Sequence, residues 1–162
     1  MPAKTPLEIE QRRAIRIVYR DLKIMYDDVT DWVEVRSPDL TPDGMFLNTP
    51  REFRPGAHLK LRFELLRTGV VIQAVGDVRY CLPGVGVGVQ FVNLPAFARA
   101  AIEKELEEVE RALVEMAMRQ ANNNQTHAAR LLDISRDALR YKLKKFGLMH
   151  GEDGETESAE AS

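Results

Sequence analysis

Two short groups of residues in the first half of the sequence carry side chains suited to holding an anion. Arg12 and Arg16 stand four positions apart, and guanidinium groups bind phosphate through paired hydrogen bonds and stack on planar bases. Further along, Asp39 can accept hydrogen bonds from a base edge, the Thr41 hydroxyl can donate or accept one, and Gly44 allows close approach to the backbone. We expect the two groups to hold one anionic ligand. Residues 41–44 are also typical of an ordinary turn.

Residues 125–144 carry the signals of two short helices packed across a tight turn. Ala129 is small, as is needed where two helices approach closely. Asp133 tolerates the left-handed backbone that such a turn requires, and Ser135 is a preferred N-cap residue. The expected buried face consists of Ile134, Leu139, Leu143 and Phe146. The pattern predicts a helix-turn-helix, and the alternative is a helical hairpin whose charges are simply solvated.

The other face of the second of these helices is basic. Arg136, Arg140 and Lys144 lie on it together with Asp137 and Tyr141. Lys142 and Lys145 also lie near the C-terminal end of the helix. Arginine is the commonest reader of guanine edges, and lysine commonly contacts phosphate. We therefore expect this face to bind DNA.

The elements that must position these residues change character at Leu94-Pro95. Before that point, short alternating segments are separated by turn residues such as Ser37-Pro38, Arg54-Pro55-Gly56 and Leu82-Pro83-Gly84. Such a series indicates a small β-sandwich or barrel. Six strands are predicted, at residues 17–26, 32–35, 45–47, 58–66, 70–81 and 85–92.

After Pro95 the hydrophobic period becomes helical, and residues 96–121 contain neither glycine nor proline. Apolar residues recur at spacings of 4, 3, 4 and 3 and form a seam like that of a coiled coil. They are Ile102, Leu106, Val109, Leu113 and Met116. The seam fits a dimer and fits a helix packed on its own barrel equally well. Three consecutive asparagines at 122–124 end the helix, and helices are predicted at Thr126–Leu132 and Arg136–Phe146.

The charge of the chain is unevenly distributed. The 162 residues have a net charge of −2 and a pI near 6.0, which argues against a nucleic-acid binder only if charge is evenly spread. By segment, the net charge is +1 for residues 1–94, −3 for 95–118, +5 for 119–150 and −5 for 151–162. The basic block coincides with the predicted helix-turn-helix. The acidic segment 151–162 has no large apolar residue, so we expect it to be disordered. The composition is typical of a solubilising terminus, and the alternative is that the segment competes with DNA for the basic block.

Several classes of protein are disfavoured. A single cysteine, Cys81, excludes an internal disulfide framework, and three histidines leave little for a metal site. The first residues lack the apolar core of a signal peptide, and no apolar run is long enough to span a membrane, so we expect a cytoplasmic protein. There is no Walker loop and no supported nucleophile, so we predict neither an enzyme nor a bound cofactor.

The first half of the chain resembles the PilZ domain. The resemblance lies in Arg12-x-x-x-Arg16, followed after about 20 residues by Asp39-x-Thr41-x-x-Gly44, and in residues 76–80 and 86–91. PilZ domains are receptors for cyclic di-GMP, so the resemblance implies a six-stranded antiparallel barrel. It also implies ligand contacts at Arg12, Arg13, Arg16, Asp39, Thr41 and Gly44. Thr41 stands where the family usually has serine and keeps the hydroxyl.

Residues 122–148 resemble the Fis-type helix-turn-helix that ends NtrC-like enhancer-binding proteins, with Asp133 in place of the family's usual glycine. That family binds DNA as dimers. The resemblance implies that the first helix contacts phosphate and the second enters the major groove. The expected DNA contacts are Gln125, Thr126, Arg136, Arg140, Tyr141, Lys144 and Lys145.

Together these features predict an α+β protein with a PilZ-like barrel at 1–94, a connecting or dimerisation helix at 95–121, a helix-turn-helix at 122–150 and an acidic segment at 151–162. The function we expect is a transcription regulator, controlled by cyclic di-GMP and homodimeric. The alternative is a PilZ-fold interaction adaptor, or a DNA-architectural protein, that does not bind the nucleotide.

Overall fold

Six antiparallel strands close into a barrel in the order β1-β2-β3-β6-β5-β4, and three helices follow. The computed structural model describes residues 23–28 and 31–149. The elements are β1 (Lys23–Asp28), β2 (Asp31–Thr41), β3 (Gly44–Asn48), β4 (His58–Glu64), β5 (Val71–Leu82), β6 (Gly86–Val92), α1 (Ala96–Gln120), α2 (Gln125–Leu131) and α3 (Arg136–Lys145). The predicted α+β class is confirmed, as are six strands in a barrel followed by a long helix and two short ones.

Alternation of side chains explains the barrel. Along β4, Leu59, Leu61 and Phe63 are buried while Lys60 and the other intervening residues are exposed. This is the period of two that a half-buried strand imposes. The inward residues of all six strands form one hydrophobic core, whose burial is the main favourable term in folding.

The prediction of a turn at Ser37-Pro38 is wrong, because both residues lie within β2. The pairing of β2 with β3 instead shifts register between Arg36 and Asp39, which marks a β-bulge. A bulge accommodates a proline because the proline nitrogen has no hydrogen to donate to the ladder.

The described residues divide into two compact units, one up to Val109 and the other from Glu110 onward. The division falls inside α1. In the first unit, Ile102 is fully buried in the barrel core, and Leu106 and Val109 pack against that core. The first three residues of the predicted seam thus pack on their own chain, whereas Met116 is 52% exposed.

The second unit has its own core. Val114, Ala117, Met118 and Ala121 from the end of α1 pack with buried residues of α2, of α3 and of the turn between them. Within the described residues, no helix is both long and apolar enough to cross a lipid bilayer.

A buried carboxylate fixes the start of α1 to the barrel. Glu105 has no solvent-exposed surface, and its Oε1 and Oε2 accept hydrogen bonds from the backbone N–H groups of Arg67 (2.8 Å) and Thr68 (3.0 Å). These two residues form the turn between β4 and β5. Hydrogen bonds to a charged acceptor are stronger than neutral ones, so this contact compensates for burial of the carboxylate.

Replacing this carboxylate should destabilise the protein strongly. In Glu105→Ala the two turn N–H groups lose their acceptor, and we expect a loss of about 3 kcal/mol in the free energy of unfolding. Urea denaturation measures the loss. Glu103→Ala, an exposed site on the same helix, serves as the control and should change stability by less than about 0.5 kcal/mol. Equal stabilities for the two variants would contradict this role of Glu105.

Candidate functional site

The turn between β2 and β3 is organised by the hydroxyl of Thr41. Its Oγ1 accepts hydrogen bonds from the backbone N–H groups of Asp43 (3.3 Å) and Gly44 (3.2 Å) and donates one to the Gly44 carbonyl (3.3 Å). Asp39 and Thr41 end β2 while Gly44 begins β3, so only Pro42 and Asp43 form the turn itself. The structure therefore brings together the three site residues predicted in this segment.

Gly44 is required by the neighbouring strand. It pairs with Gln90 of β6, and a Cβ atom at position 44 would lie 2.1 Å from the carbonyl oxygen of Val89. No side chain can be accommodated there without moving β3 or β6. The close approach expected at this glycine is thus made by the protein's own backbone.

A shallow pocket of about 280 Å³ opens beside this turn and is lined by Asp39, Thr41 and Gly44 together with Arg79 and Tyr80 of β5. The pairing of β5 with β6 shifts register between Val78 and Tyr80. This bulge explains how two consecutive residues line the same pocket. The sequence analysis did not identify Arg79 and Tyr80 as site residues.

Tyr80 forms an aromatic wall of the pocket. Its side chain is 51% exposed and lies over Gly88, where an added Cβ would come within 2.2 Å of the ring. The Phe46 ring lies beside it, with the two centroids 6.3 Å apart. An exposed tyrosine beside an exposed arginine can stack on a base while the guanidinium binds a phosphate. Tyr80 pairs across the strands with Gly88. The sequence contains both residues, but their pairing becomes visible only when the strand register is known.

The turn is also connected to α1. Arg99 donates from Nη2 to Oδ1 of Asp43 at 2.9 Å, and both side chains are largely exposed. The backbone of the same turn contacts β6, since the N–H of Phe91 donates to the carbonyl of Asp43 at 2.8 Å. The sequence analysis did not anticipate the role of Arg99.

The other half of the predicted ligand site, Arg12, Arg13 and Arg16, lies outside the described residues. Its position relative to the pocket therefore stays a prediction.

The helix-turn-helix has the local chemistry expected of it. Asn122 and Asn123 have positive φ angles, and Asn124 caps α2 by accepting a hydrogen bond from the His127 N–H at 3.0 Å. Ser135 caps α3 by accepting from the Ala138 N–H at 3.1 Å. Asp133 has φ 59° at the turn between the two helices. The expected asparagine, serine and aspartate roles are confirmed.

Residues predicted to contact DNA lie along α3 and at the start of α2. Tyr141 is 70% exposed, and Thr126, Arg136, Lys144 and Lys145 are also exposed. Gln125 and Arg140 are half-buried, and each makes an interaction within the protein. The exposed residues form a basic surface on α3 that is suited to phosphate and base contacts.

Lys142 differs from its neighbours on α3. It is only 12% exposed, and its Nζ donates to Oε1 of Glu110 at 2.5 Å. Lys142 therefore fixes α3 to the second half of α1. Because Glu110 neutralises it, Lys142 is not part of the basic surface.

Two family models match the chain. The model described as "PilZ domain" matches residues 10–108, and the model described as "Bacterial regulatory protein, Fis family" matches residues 105–146. Both are families of binding domains without catalytic activity, which confirms the prediction that the protein is not an enzyme.

Curated relatives match a short stretch of the chain. The DNA-binding protein Fis of Proteus mirabilis and that of Sodalis glossinidius are each 48% identical over 46 residues, which is 28% of this chain and 47% of the relative. The chain thus spans about half the length of the curated relatives it matches.

Solved structures resemble the chain in fold. YcgR from Escherichia coli in complex with c-di-GMP has a TM-score of 0.55 at 17% identity, covering 67% of this chain and 50% of that one. The Bacillus subtilis inhibitor of motility (MotI/DgrA) has a TM-score of 0.50 at 15% identity, covering 60% and 51%.

Adding a methyl group at position 44 should damage the pocket through the backbone. In Gly44→Ala the new Cβ would collide with the Val89 carbonyl, and we expect about 2 kcal/mol of destabilisation from overpacking. Thermal and urea unfolding measure this effect. Asn48→Ala, at an exposed position of the same strand, is the matched control and should be nearly neutral. A Gly44→Ala protein as stable as the control would contradict the close packing of β3 on β6.

Proposed function

The chain belongs to the PilZ domain family, and from this premise we propose that it is a DNA-binding transcription regulator whose barrel senses cyclic di-GMP. The single observation that carries the proposal is the union, in one chain, of a PilZ domain with a Fis-family helix-turn-helix. The first provides a nucleotide sensor and the second a DNA reader.

The proposed ligand site combines the pocket with the arginines that precede the barrel. Arg12 and Arg16 bind phosphate and guanine through bidentate hydrogen bonds, with Arg13 as an accessory contact. On the barrel, Asp39 accepts from a guanine edge, and the Thr41–Gly44 turn lies beneath the ligand. The position of Tyr80 and Arg79 in the same pocket supports this assignment, since a guanine nucleotide needs both a stacking surface and cations.

The proposed DNA site is the basic surface of α3. Arg136, Arg140 and Tyr141 would face base edges in the major groove, and Lys144 and Lys145 would contact phosphate. Gln125 and Thr126 at the start of α2 would contact the adjacent backbone. A homodimer would present two such helices to a two-fold site, and binding to chromosomal DNA would place the protein in the cytoplasm.

The helix α1 is proposed to couple nucleotide binding by the barrel to DNA binding by the helix-turn-helix. It contributes Ala98 and Ile102 to the barrel core and Val114 and Ala117 to the core of the second unit. The Asp43–Arg99 ion pair joins the turn between β2 and β3 to the first part of α1. A nucleotide that interacts differently with two positions of this helix shifts the population between them, which is the thermodynamic condition for regulation.

A second candidate function is that of an interaction adaptor. The observation in its favour is a groove of about 540 Å³ on the outer face of the barrel, larger than the pocket at the ligand turn. It is lined by Lys60, Arg62 and Val75, and by residues 92–95, which begin at the last residue of β6. A barrel that binds no nucleotide but retains a partner through this groove would fit the adaptor.

Cyclic di-GMP should bind the wild-type protein, and Arg16→Ala should weaken binding at least about tenfold, because a charged bidentate contact contributes more than 1.4 kcal/mol. Asp39→Asn should also weaken it. Isothermal titration calorimetry measures both effects. Arg62→Ala, an exposed arginine on β4 outside the pocket, is the control and should bind normally. Absence of binding by the wild type would favour the adaptor.

Duplex DNA should bind through α3 with a strong dependence on salt. Relative to the wild type, Lys144→Ala should reduce the slope of log affinity against log salt by about 0.9, because one phosphate contact is lost. Arg136→Ala should weaken binding to a duplex selected from a random pool. Fluorescence anisotropy provides both measurements, with Lys104→Ala on α1 as the exposed-lysine control. A Lys144→Ala slope equal to that of the wild type would remove Lys144 from the site.

A further inference from the structure

The basic face of α3, which we define as Arg136, Arg140, Lys144 and Lys145, concentrates positive charge on one short helix. Three of its four members are exposed, and Asp137 is the one acidic side chain on α3. Lys142 does not contribute, because it is paired with Glu110. A concentrated cationic surface attracts any acidic segment that can reach it.

The backbone after α3 reverses direction and runs back beside the last turn of the helix. Gly147 has φ 65°, its N–H donates to the Lys144 carbonyl at 3.2 Å, and the Leu148 N–H donates to the Leu143 carbonyl at 2.8 Å. This is the glycine-terminated helix end in which the chain reverses. Leu148 and Met149 then pack against the core of the second unit. Residue 149 is thereby anchored close to the end of α3 that carries Lys144 and Lys145.

The residues that follow have the complementary charge. Residues 151–162 contain Glu152, Asp153, Glu155, Glu157 and Glu160 and no basic side chain. Fully extended, they reach about 40 Å, whereas the ten residues of α3 span about 15 Å. The segment is therefore long enough to reach every member of the basic face.

We propose that the basic face of α3 is an intramolecular docking surface for residues 151–162, which compete there with DNA. The tether holds the carboxylates near the face at an effective concentration in the millimolar range, so a weak ionic contact is sufficient. The docking itself rests on the length of the tether and on complementary charge. Its regulatory consequence rests on the proposed function, because it requires that the same face bind DNA.

Neutralising the segment should therefore strengthen DNA binding at low salt. The test variant is the full chain with Glu152→Gln, Asp153→Asn, Glu155→Gln, Glu157→Gln and Glu160→Gln. We expect it to bind duplex DNA about threefold more tightly than the wild type at low salt. The difference should disappear near 1 M salt, where the screening length falls to about 3 Å. A control variant removes exposed acidic charge elsewhere, at Glu52, Glu64, Glu103 and Glu107, and should have a much smaller effect.

A second readout without DNA separates docking from simple repulsion of DNA by the segment. The rates at which a small acylating reagent modifies Lys144 and Lys145 are measured by mass spectrometry, with the exposed Lys60 as the internal reference. We expect both lysines to react about twofold faster in the neutralised variant, while Lys60 is unchanged.

The two measurements together test whether the segment docks and whether it competes with DNA. Equal lysine reactivity in both proteins overturns the docking, even if DNA binding becomes tighter, because the segment then acts only by repulsion. Faster lysine modification with unchanged DNA affinity overturns the competition. If neither protein binds DNA at any salt concentration, the proposed DNA-binding function fails, and the lysine rates still decide whether the segment docks.

Discussion

The hydrogen bonds of the buried Glu105 carboxylate to the Arg67 and Thr68 N–H groups are the contact on which the arrangement of the barrel and α1 depends. A fully buried carboxylate is unfavourable unless its oxygens are satisfied, so the helix has one position on the barrel in which this cost is offset. That position sets Ile102 in the core and brings Arg99 to Asp43 in the turn between β2 and β3. A polar contact thus determines where the apolar side of α1 packs on the barrel.

In the second unit, an ion pair fixes one helix against another. Lys142 and Glu110 hold α3 to the second half of α1, while the exposed cations of α3 face solvent. The net charge of −2 conceals this surface, because the basic block is offset by acidic residues in α1 and beyond residue 150. A nearly neutral chain can therefore carry a strongly basic surface on one of its helices.

Much of the fold and part of the site could be predicted from local patterns. Alternation along β4, the caps at Asn124 and Ser135, and the left-handed Asp133 each depend on neighbours in sequence, so single-sequence reasoning identified them. The bulge at Pro38 and the pocket residues Arg79 and Tyr80 depend on strand register, which connects residues distant in sequence. The Glu105 contact joins positions 37 and 38 residues apart, and no periodicity signals such a contact. The seam of α1 was ambiguous for the same reason, since the same spacing serves a barrel or a second helix.

The central claim is that cyclic di-GMP controls DNA binding, and a DNA titration of the full-length protein with and without the nucleotide tests it most directly. Fluorescence anisotropy on a selected duplex, repeated with Arg16→Ala and accompanied by a measurement of oligomeric state, provides the comparison. Saturating nucleotide should change the DNA affinity or oligomeric state of the wild type and leave Arg16→Ala unaffected. A wild-type protein whose DNA affinity and oligomeric state are the same with and without nucleotide would contradict it.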